Sequence, residues 1–146
     1  MRELPIAYGG SCFAKKWSNK KITFDDLCER LKTTIRTPET VEEYPKLPKT
    51  DRDRIKDIGG FVAAELSGGR RKRETVAYRS MVNLDGDKVK PDFLDSFELL
   101  NTYAAVVYST HSHTPEEPRL RIIVPLSRDV TPDEYNAIAR YYAESL

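Results

Sequence analysis

Two aspartates one residue apart follow an apolar run and are separated by a glycine. The segment 83–87, Asn-Leu-Asp-Gly-Asp, places the carboxylates of Asp85 and Asp87 at a strand end, where residues two apart face the same side. Two like charges this close are unfavourable unless a cation neutralises them. Hard oxygen donors suit Mg²⁺ or Mn²⁺, usually shared with substrate phosphates. Taken alone, Asp-Gly-Asp is better explained as an ordinary turn sequence, so the pair predicts a metal site only together with the polar groups described next.

A second polar group follows the next predicted strand. Ser109 and His111 are two residues apart, which would put both on one strand face, and Arg119 and Arg121 share the same spacing after a short turn. Guanidinium groups bind phosphate through two parallel hydrogen bonds, so we expect His111 and the arginines to contact phosphate. The alternative is a polar hairpin in which the turn glutamates, residues 116–117, pair with the arginines across the turn.

Positive charge is concentrated in the first half of the chain. Residues 1–84 carry 18 basic and 12 acidic groups, a net of +6, whereas residues 85–146 carry 6 basic and 11 acidic groups, a net of −5. The densest basic stretch contains Arg70, Arg71 and Lys72 after a Gly-Gly pair. A flexible basic loop of this kind binds phosphates. A solvated turn is the equally acceptable alternative.

Length and composition exclude several classes of protein. The chain has 146 residues, with 24 Lys+Arg against 23 Asp+Glu and 39% hydrophobic residues, as expected of one polar globular domain or two small halves that share a core. No apolar run approaches the ~20 residues of a membrane helix. The two cysteines, Cys12 and Cys28, form no C-x-x-C pair, so we expect a reduced, cytoplasmic setting.

Elements in the second half must position these groups. The apolar periodicity predicts the order strand, helix, strand, strand, helix. The predicted ranges are strands at 76–84, 104–109 and 120–126, a helix over 91–101, and a final helix capped by Thr131. Pro125 cannot donate to a ladder, so we expect it to end the third strand.

This order matches a ferredoxin-like or RRM-like unit, β-α-β-β-α(-β), without its last strand. In that fold the first two strands are parallel and the third lies between them, antiparallel to both. The ends that carry Asp85, Ser109 and Arg121 therefore meet at one edge of the sheet. We predict an α+β fold in which a small α/β module, residues 1–75, precedes an incomplete catalytic half, residues 76–146, and together they make one domain.

The first half shows weaker patterns. Thr23 is positioned to cap a helix whose apolar stripe extends to Ile35. Residues 37–50 contain three prolines and are predicted to form an irregular connector. The run 61–66 is predicted to be one strand, closed by the glycines at 68 and 69.

Several blocks in order resemble the primase-polymerase-like N-terminal region of virulence-associated E replication proteins of phages and mobile elements, and hence the archaeo-eukaryotic primase superfamily. The resemblance covers roughly residues 56–146. The blocks are Lys56 to Val62 (KDIGGFV), Gly68 to Lys72 (GGRRK), Arg79 to Asp87 (RSMVNLDGD), Tyr108 to Thr114 (YSTHSHT) and Pro118 to Leu126 (PRLRIIVPL).

The resemblance implies a role for each matching residue. Asp85 and Asp87 would form the first metal-binding motif, and His111 of the S-x-H motif would contact the phosphates of an incoming nucleotide. Arg121, and less closely Arg119, would bind phosphate or template. In the superfamily a third acidic residue comes from a later strand, and members of the virulence-associated E family continue into a helicase region. We therefore expect a fragment or a stand-alone remnant, with an exposed edge beside the first strand.

The leading hypothesis is a DNA primase or polymerase domain, a metal-dependent nucleotidyltransferase that uses Mg²⁺ or Mn²⁺, nucleoside triphosphates and single-stranded DNA. A helicase, in the same longer chain or in trans, would be its partner, in the cytoplasm of a bacterial host. One alternative is a strand-nicking replication initiator that holds a metal with His111 and His113 and attacks DNA with Tyr141 or Tyr142. The other alternative is a non-catalytic nucleic-acid-binding module.

Overall fold

A computed structural model describes residues 1–146, with eleven helices and strands and three short 3₁₀ turns. The elements are β1 (Glu3–Gly9), β2 (Ser18–Thr23), α1 (Phe24–Leu31), α2 (Lys49–Lys56), β3 (Gly60–Val62), β4 (Ala64–Leu66), β5 (Val76–Asp87), α3 (Phe93–Leu100), β6 (Val106–Ser109), β7 (Arg119–Val130) and α4 (Pro132–Glu144). The 3₁₀ turns are Tyr44–Lys46, Ser67–Gly69 and Arg73–Thr75. The predicted α+β class is confirmed.

Two antiparallel sheets divide the strands. One has the order β2-β1-β3 and the other the order β4-β5-β7-β6. The run 61–66, predicted as one strand, serves both sheets: β3 pairs with β1, β4 pairs with β5, and the buried Ala63 lies between them. The prediction of one strand was wrong because apolar composition does not show where a chain changes sheets.

The larger sheet has the topology expected of the second half. β7 lies between β5 and β6 and is antiparallel to both, so β5 and β6 are parallel. The C-terminal ends of β5 and β6 therefore meet the N-terminal end of β7, as the order of elements predicted. We call this edge the rim.

The predicted cap of α4 is also present. The hydroxyl of Thr131 caps the helix by accepting a hydrogen bond from the backbone N–H of Glu134.

Each face of the larger sheet is covered by a different part of the chain. On one face Val82, Ile122 and Val124 pack against Phe97 of α3 and Tyr142 of α4. On the other face a cluster joins the two halves of the chain, since it contains residues from β1, α1, β5 and β7. Its buried members are Leu4, Ile6, Leu27, Ala63, Met81 and Ile123. Buried apolar surface thus connects the first half of the chain to the second.

Pro125 lies inside β7, and the prediction that it ends the strand was wrong. It pairs with Met81, but Arg79 pairs with Val130, three residues beyond the expected register. The extra residues form a bulge, where a proline is tolerated. Ser80, fully buried opposite the bulge, donates a hydrogen bond to the carboxylate of Asp129.

Two further expectations are corrected. α1 ends at Leu31 with its predicted Thr23 cap, and Ile35 is exposed beyond it. The edge of β5, expected to be open, is partly covered, because Ala64 and Leu66 of β4 pair with the first residues of β5. α2 begins in the last two residues of the predicted connector and continues to Lys56; its segment is mostly charged and has no apolar stripe, which is why periodicity did not reveal it.

Candidate nucleotide-binding rim

Two acidic residues of β5 lie directly opposite two arginines of β7 at the rim. The register pairs Asp85 with Arg121 and Asp87 with Arg119. Nε of Arg121 lies 2.6 Å from Oδ1 of Asp85, and Nη1 of Arg119 lies 3.5 Å from Oδ1 of Asp87. The predicted convergence of these four residues is observed. The alternative, in which the turn glutamates bind the arginines, is not, because Glu117 lies beside Lys88 instead.

Exposure differs between the acidic and basic partners. The side chains of Asp85 and Asp87 are 57% and 69% exposed, whereas those of Arg121 and Arg119 are 33% and 32% exposed. The arginine side chains are therefore better covered than the carboxylates, which reach solvent. Such cross-strand ion pairs contribute at most about 1 kcal/mol each in a solvated setting. The contribution of these ion pairs to folding stability is too small to explain why the four residues are clustered.

Tyr108 of β6 completes the row across three strands. It pairs with Arg121 in the ladder, and its hydroxyl lies 3.5 Å from Nη1 of that arginine. Burial raises the pKa of Tyr108 above its usual value, although the hydrogen bond from Arg121 acts in the opposite direction. Burial acts to lower the pKa of Arg121, but hydrogen bonds with Asp85 and Tyr108 outweigh it and the pKa is raised. Arg121 therefore remains a cation beside Asp85.

His111 lies beyond the end of β6 and contacts the connector. Its Nε2 is 3.1 Å from Oε1 of Glu39 and 2.9 Å from the hydroxyl of Thr37, and its ring centroid is 4.5 Å from that of Tyr44. Thr37 donates its single proton to Glu39, so it accepts from His111, and this network assigns a proton to Nε2. The Nδ1 atom remains available for a ligand.

Glu39 is an acidic residue that sequence reasoning missed. Its side chain is only 10% exposed, and its Oε2 atom is buried without a hydrogen-bond partner. Hydrogen bonding from Thr37, followed by the backbone and by His111, keeps the pKa of Glu39 below its usual value. The segment around it has three prolines and no periodicity, so no sequence signal linked it to His111.

Ser109 and His113 do not join the acid–arginine row. Ser109 pairs with Leu120, whereas the preceding Tyr108 pairs with Arg121, so strand alternation puts Ser109 on the opposite face of the sheet. The expectation that Ser109 and His111 share a strand face was wrong, because β6 ends at Ser109. His113 accepts a hydrogen bond at Nδ1 from the backbone N–H of Arg119, at 3.1 Å, and thereby fixes the turn.

The basic loop lies at the other end of β5. Arg70, Arg71 and Lys72 precede Val76, the first residue of the strand, whereas Asp85 lies near its end. At roughly 3.3 Å per strand residue, about 30 Å separates the two regions. The basic loop and the rim are therefore separate surfaces and cannot hold the same triphosphate.

No group of three or more His, Cys, Asp or Glu side chains is arranged to bind a metal ion. The donor chemistry of Asp85 and Asp87 fits a hard divalent cation that takes two carboxylates and completes its shell with phosphate and water oxygens. Two carboxylates are too few ligands to hold such a cation without oxygen atoms from phosphate or water.

The fold and the rim define an α+β protein with a paired acidic and basic site on a ferredoxin-like sheet. The profile of the VapE N-terminal domain family matches residues 1–146. The chain therefore belongs to the VapE N-terminal domain family, a group of replication-related proteins of phages and mobile elements. No curated protein and no solved structure matches the chain. None of its helices combines the length and apolar character needed to cross a membrane.

Proposed function

We propose that the chain is the nucleotide-binding part of a primase or DNA polymerase, a metal-dependent nucleotidyltransferase that acts on single-stranded DNA and nucleoside triphosphates. One observation carries this proposal: two solvent-facing aspartates lie opposite two arginines at the end of one sheet. Phosphoryl transfer needs charge neutralisation and alignment more than covalent chemistry from the protein.

The charges of the rim suggest an exchange of partners. Asp85 and Asp87 together balance Arg119 and Arg121. In the proposed complex Asp85 and Asp87 would hold Mg²⁺ or Mn²⁺, which would supply positive charge to neutralise the phosphates. The guanidinium groups of Arg119 and Arg121 would bind phosphate oxygens, for which their paired N–H groups are suited.

His111 is proposed to bind phosphate through Nδ1. Its Nε2 side is occupied by Thr37 and Glu39, and the ring packs on Tyr44. These contacts orient the ring, and Nδ1 would donate to a phosphate oxygen in the imidazolium form, in which both ring nitrogens carry a proton. A helicase, in the same longer chain or in trans, is the proposed partner.

The test is nucleoside triphosphate binding, measured by titration calorimetry with and without Mn²⁺. We expect Mn²⁺ to tighten binding, and Asp85→Asn and Asp87→Asn to remove this enhancement. Asp95→Asn is the matched control, because Asp95 is an exposed aspartate in the first turn of α3. Binding that is indifferent to Mn²⁺, or unchanged in both rim variants, contradicts the proposal. Primer synthesis on single-stranded DNA is the second readout, and synthesis that persists in Asp85→Ala contradicts the catalytic role.

A second candidate is a nucleic-acid-binding module without catalysis. The observation that favours it is that both aspartates already have arginine partners and that no three-residue metal cluster exists. It predicts salt-sensitive binding of single strands without a cation requirement.

The geometry does not favour the nicking initiator. Tyr142 is buried against α3 and donates a hydrogen bond to Asn101. His111 and His113 contact different groups and do not face each other across a shared site. Tyr141 is exposed on α4, a helix that covers the face of the sheet opposite the acid–arginine row.

A further inference from the structure

Two loops that are distant in sequence form one surface at the start of β5. The backbone N–H of Trp17 donates to the carbonyl of Gly69 at 2.6 Å. Arg71 places its guanidinium 5.2 Å from the ring centroid of Trp17 and donates to the carbonyl of Cys12 at 3.0 Å. We call residues 11–17 and 67–73 together the two-loop surface.

The first of these loops is held in place from both ends. The hydroxyl of Ser11 and the backbone N–H of Cys12 donate to Asp57, at 2.5 and 2.8 Å. The indole of the buried Trp17 donates to the carbonyl of Ala14. These anchors fix the turn between them, which presents Phe13 to solvent with 86% of its area exposed.

The second loop requires glycine where it meets Trp17. Gly69 has φ of +67°, and a Cβ there would lie 2.8 Å from the carbonyl oxygen of Trp17. Close backbone contact therefore sets the spacing between the loops.

This surface carries an excess of positive charge, although Asp57 lies close enough to Arg71 to interact with it. Each of its basic side chains is exposed, and none forms an ion pair, in contrast to the arginines of the rim. The basic residues are Lys15, Lys16, Arg70, Arg71, Lys72 and Arg73. Asp57 is engaged by Ser11 and Cys12. Six exposed cations and the exposed ring of Phe13 therefore lie on the same pair of contacting loops.

We propose that the two-loop surface binds single-stranded nucleic acid, with Phe13 stacking on a base while Lys15, Lys16, Arg70 and Lys72 contact the phosphates. Proteins that bind single strands combine a positive track with aromatic rings on which unpaired bases stack. A duplex offers phosphates but no free base face, so the aromatic ring selects the single strand. The surface lies about 30 Å from the rim, and this proposal does not depend on metal or triphosphate binding there.

An anionic membrane is the competing occupant. A membrane anchor takes its energy from a broad apolar face, whereas this surface exposes one aromatic ring among six cations. The excess of cations over exposed apolar side chains therefore favours a single-stranded nucleic acid, whose bases can stack on Phe13, over a membrane.

The experiment measures fluorescence anisotropy of a labelled oligothymidylate of about 16 nucleotides, the upper range of single-strand site sizes. The same measurement uses a duplex and phosphatidylserine vesicles as alternative probes. We expect Phe13→Ala to weaken single-strand binding about tenfold, to spare duplex binding, and to be rescued by Phe13→Trp. Leu99→Ala, which removes an apolar side chain that is 84% exposed on α3, is the control.

The lysines are tested through salt dependence. We expect Lys15→Ala/Lys16→Ala to reduce the slope of log affinity against log salt by about 1.4, or about 0.7 per lost phosphate contact. Lys32→Ala/Arg140→Ala removes the same charge outside both loops and should leave the slope unchanged. Unchanged single-strand binding in both loop variants overturns the proposal, as does stronger binding to vesicles than to the oligonucleotide. Because Asp85→Asn leaves this surface intact, failure here is distinguishable from failure of the proposed chemistry at the rim.

Discussion

Asp85 and Arg121 face each other directly across β5 and β7, with the carboxylate 2.6 Å from Nε of the guanidinium. Neither residue is buried enough for the pair to be an important part of the core. The same two side chains are the ones that a metal and a phosphate would separate. A purely structural role and a nucleotide-binding role for this pair therefore predict different effects when either residue is substituted.

The first prediction concerns this pair. We expect Asp85→Asn and Arg121→Gln each to lower the unfolding free energy by less than about 1 kcal/mol, because both side chains contact solvent. Triphosphate binding should instead fall at least tenfold in each variant. Urea unfolding and calorimetry measure the two effects. A large loss of stability with normal binding would assign the pair a purely structural role.

The second prediction concerns the attachment of the connector to the rim. His111→Ala removes the contacts with Glu39, Thr37 and Tyr44. We expect the segment before Glu39 to open more often, so that trypsin cleaves at the exposed Arg36 several-fold faster. Mass spectrometry of timed digests identifies the cut. Cleavage at Arg36 as slow as in the wild type would show that His111 does not hold the connector, and Leu99→Ala, at an exposed position on α3, provides the control.

The third prediction tests whether the two halves unfold together. Val124 is buried against α3 and α4, and the only tryptophan, Trp17, lies in the first half of the chain. Val124→Ala should lower the unfolding free energy by about 1–3 kcal/mol and shift the fluorescence transition of Trp17 by the full amount. The shared cluster that includes Leu4, Met81 and Ile123 is the physical reason. A transition of Trp17 that stays in place would mean that the halves unfold independently.

The fourth prediction concerns acid. Hydrogen bonds from Ser11 and from the backbone N–H of Cys12, with a smaller contribution from Arg71, lower the pKa of Asp57 below its usual 3.8. A carboxylate with a depressed folded pKa stabilises the protein above its unfolded pKa, and that contribution is lost as the pH falls through the folded pKa. We therefore expect Asp57→Asn to be less stable than the wild type at neutral pH.

Below about pH 3.8 the difference between wild type and Asp57→Asn should shrink towards zero. Urea unfolding at a series of pH values measures it. Asp51→Asn, on α2, is the control for loss of an acidic side chain nearby. A difference that does not change with pH would mean that the amide disturbs the loop by its shape and not through the charge of Asp57.

Features that depend on interactions between residues close together in the sequence were predicted correctly. The helix caps at Thr23 and Thr131 were predicted because a hydroxyl before an apolar stripe satisfies free backbone N–H groups within the same few residues. The order of strands and helices in the second half then restricted the topology enough to bring Asp85, Arg119 and Arg121 to one edge.

What the sequence could not reveal depends on contacts between segments that share no periodicity. The association of Glu39 with His111, and of the loop containing Phe13 with the loop containing Arg71, joins stretches that are each irregular. The change of sheets at Ala63 and the bulge at Pro125 likewise depend on the partner strands. Hydrogen bonds and close packing across long sequence separations determine these features, so only the tertiary structure shows them.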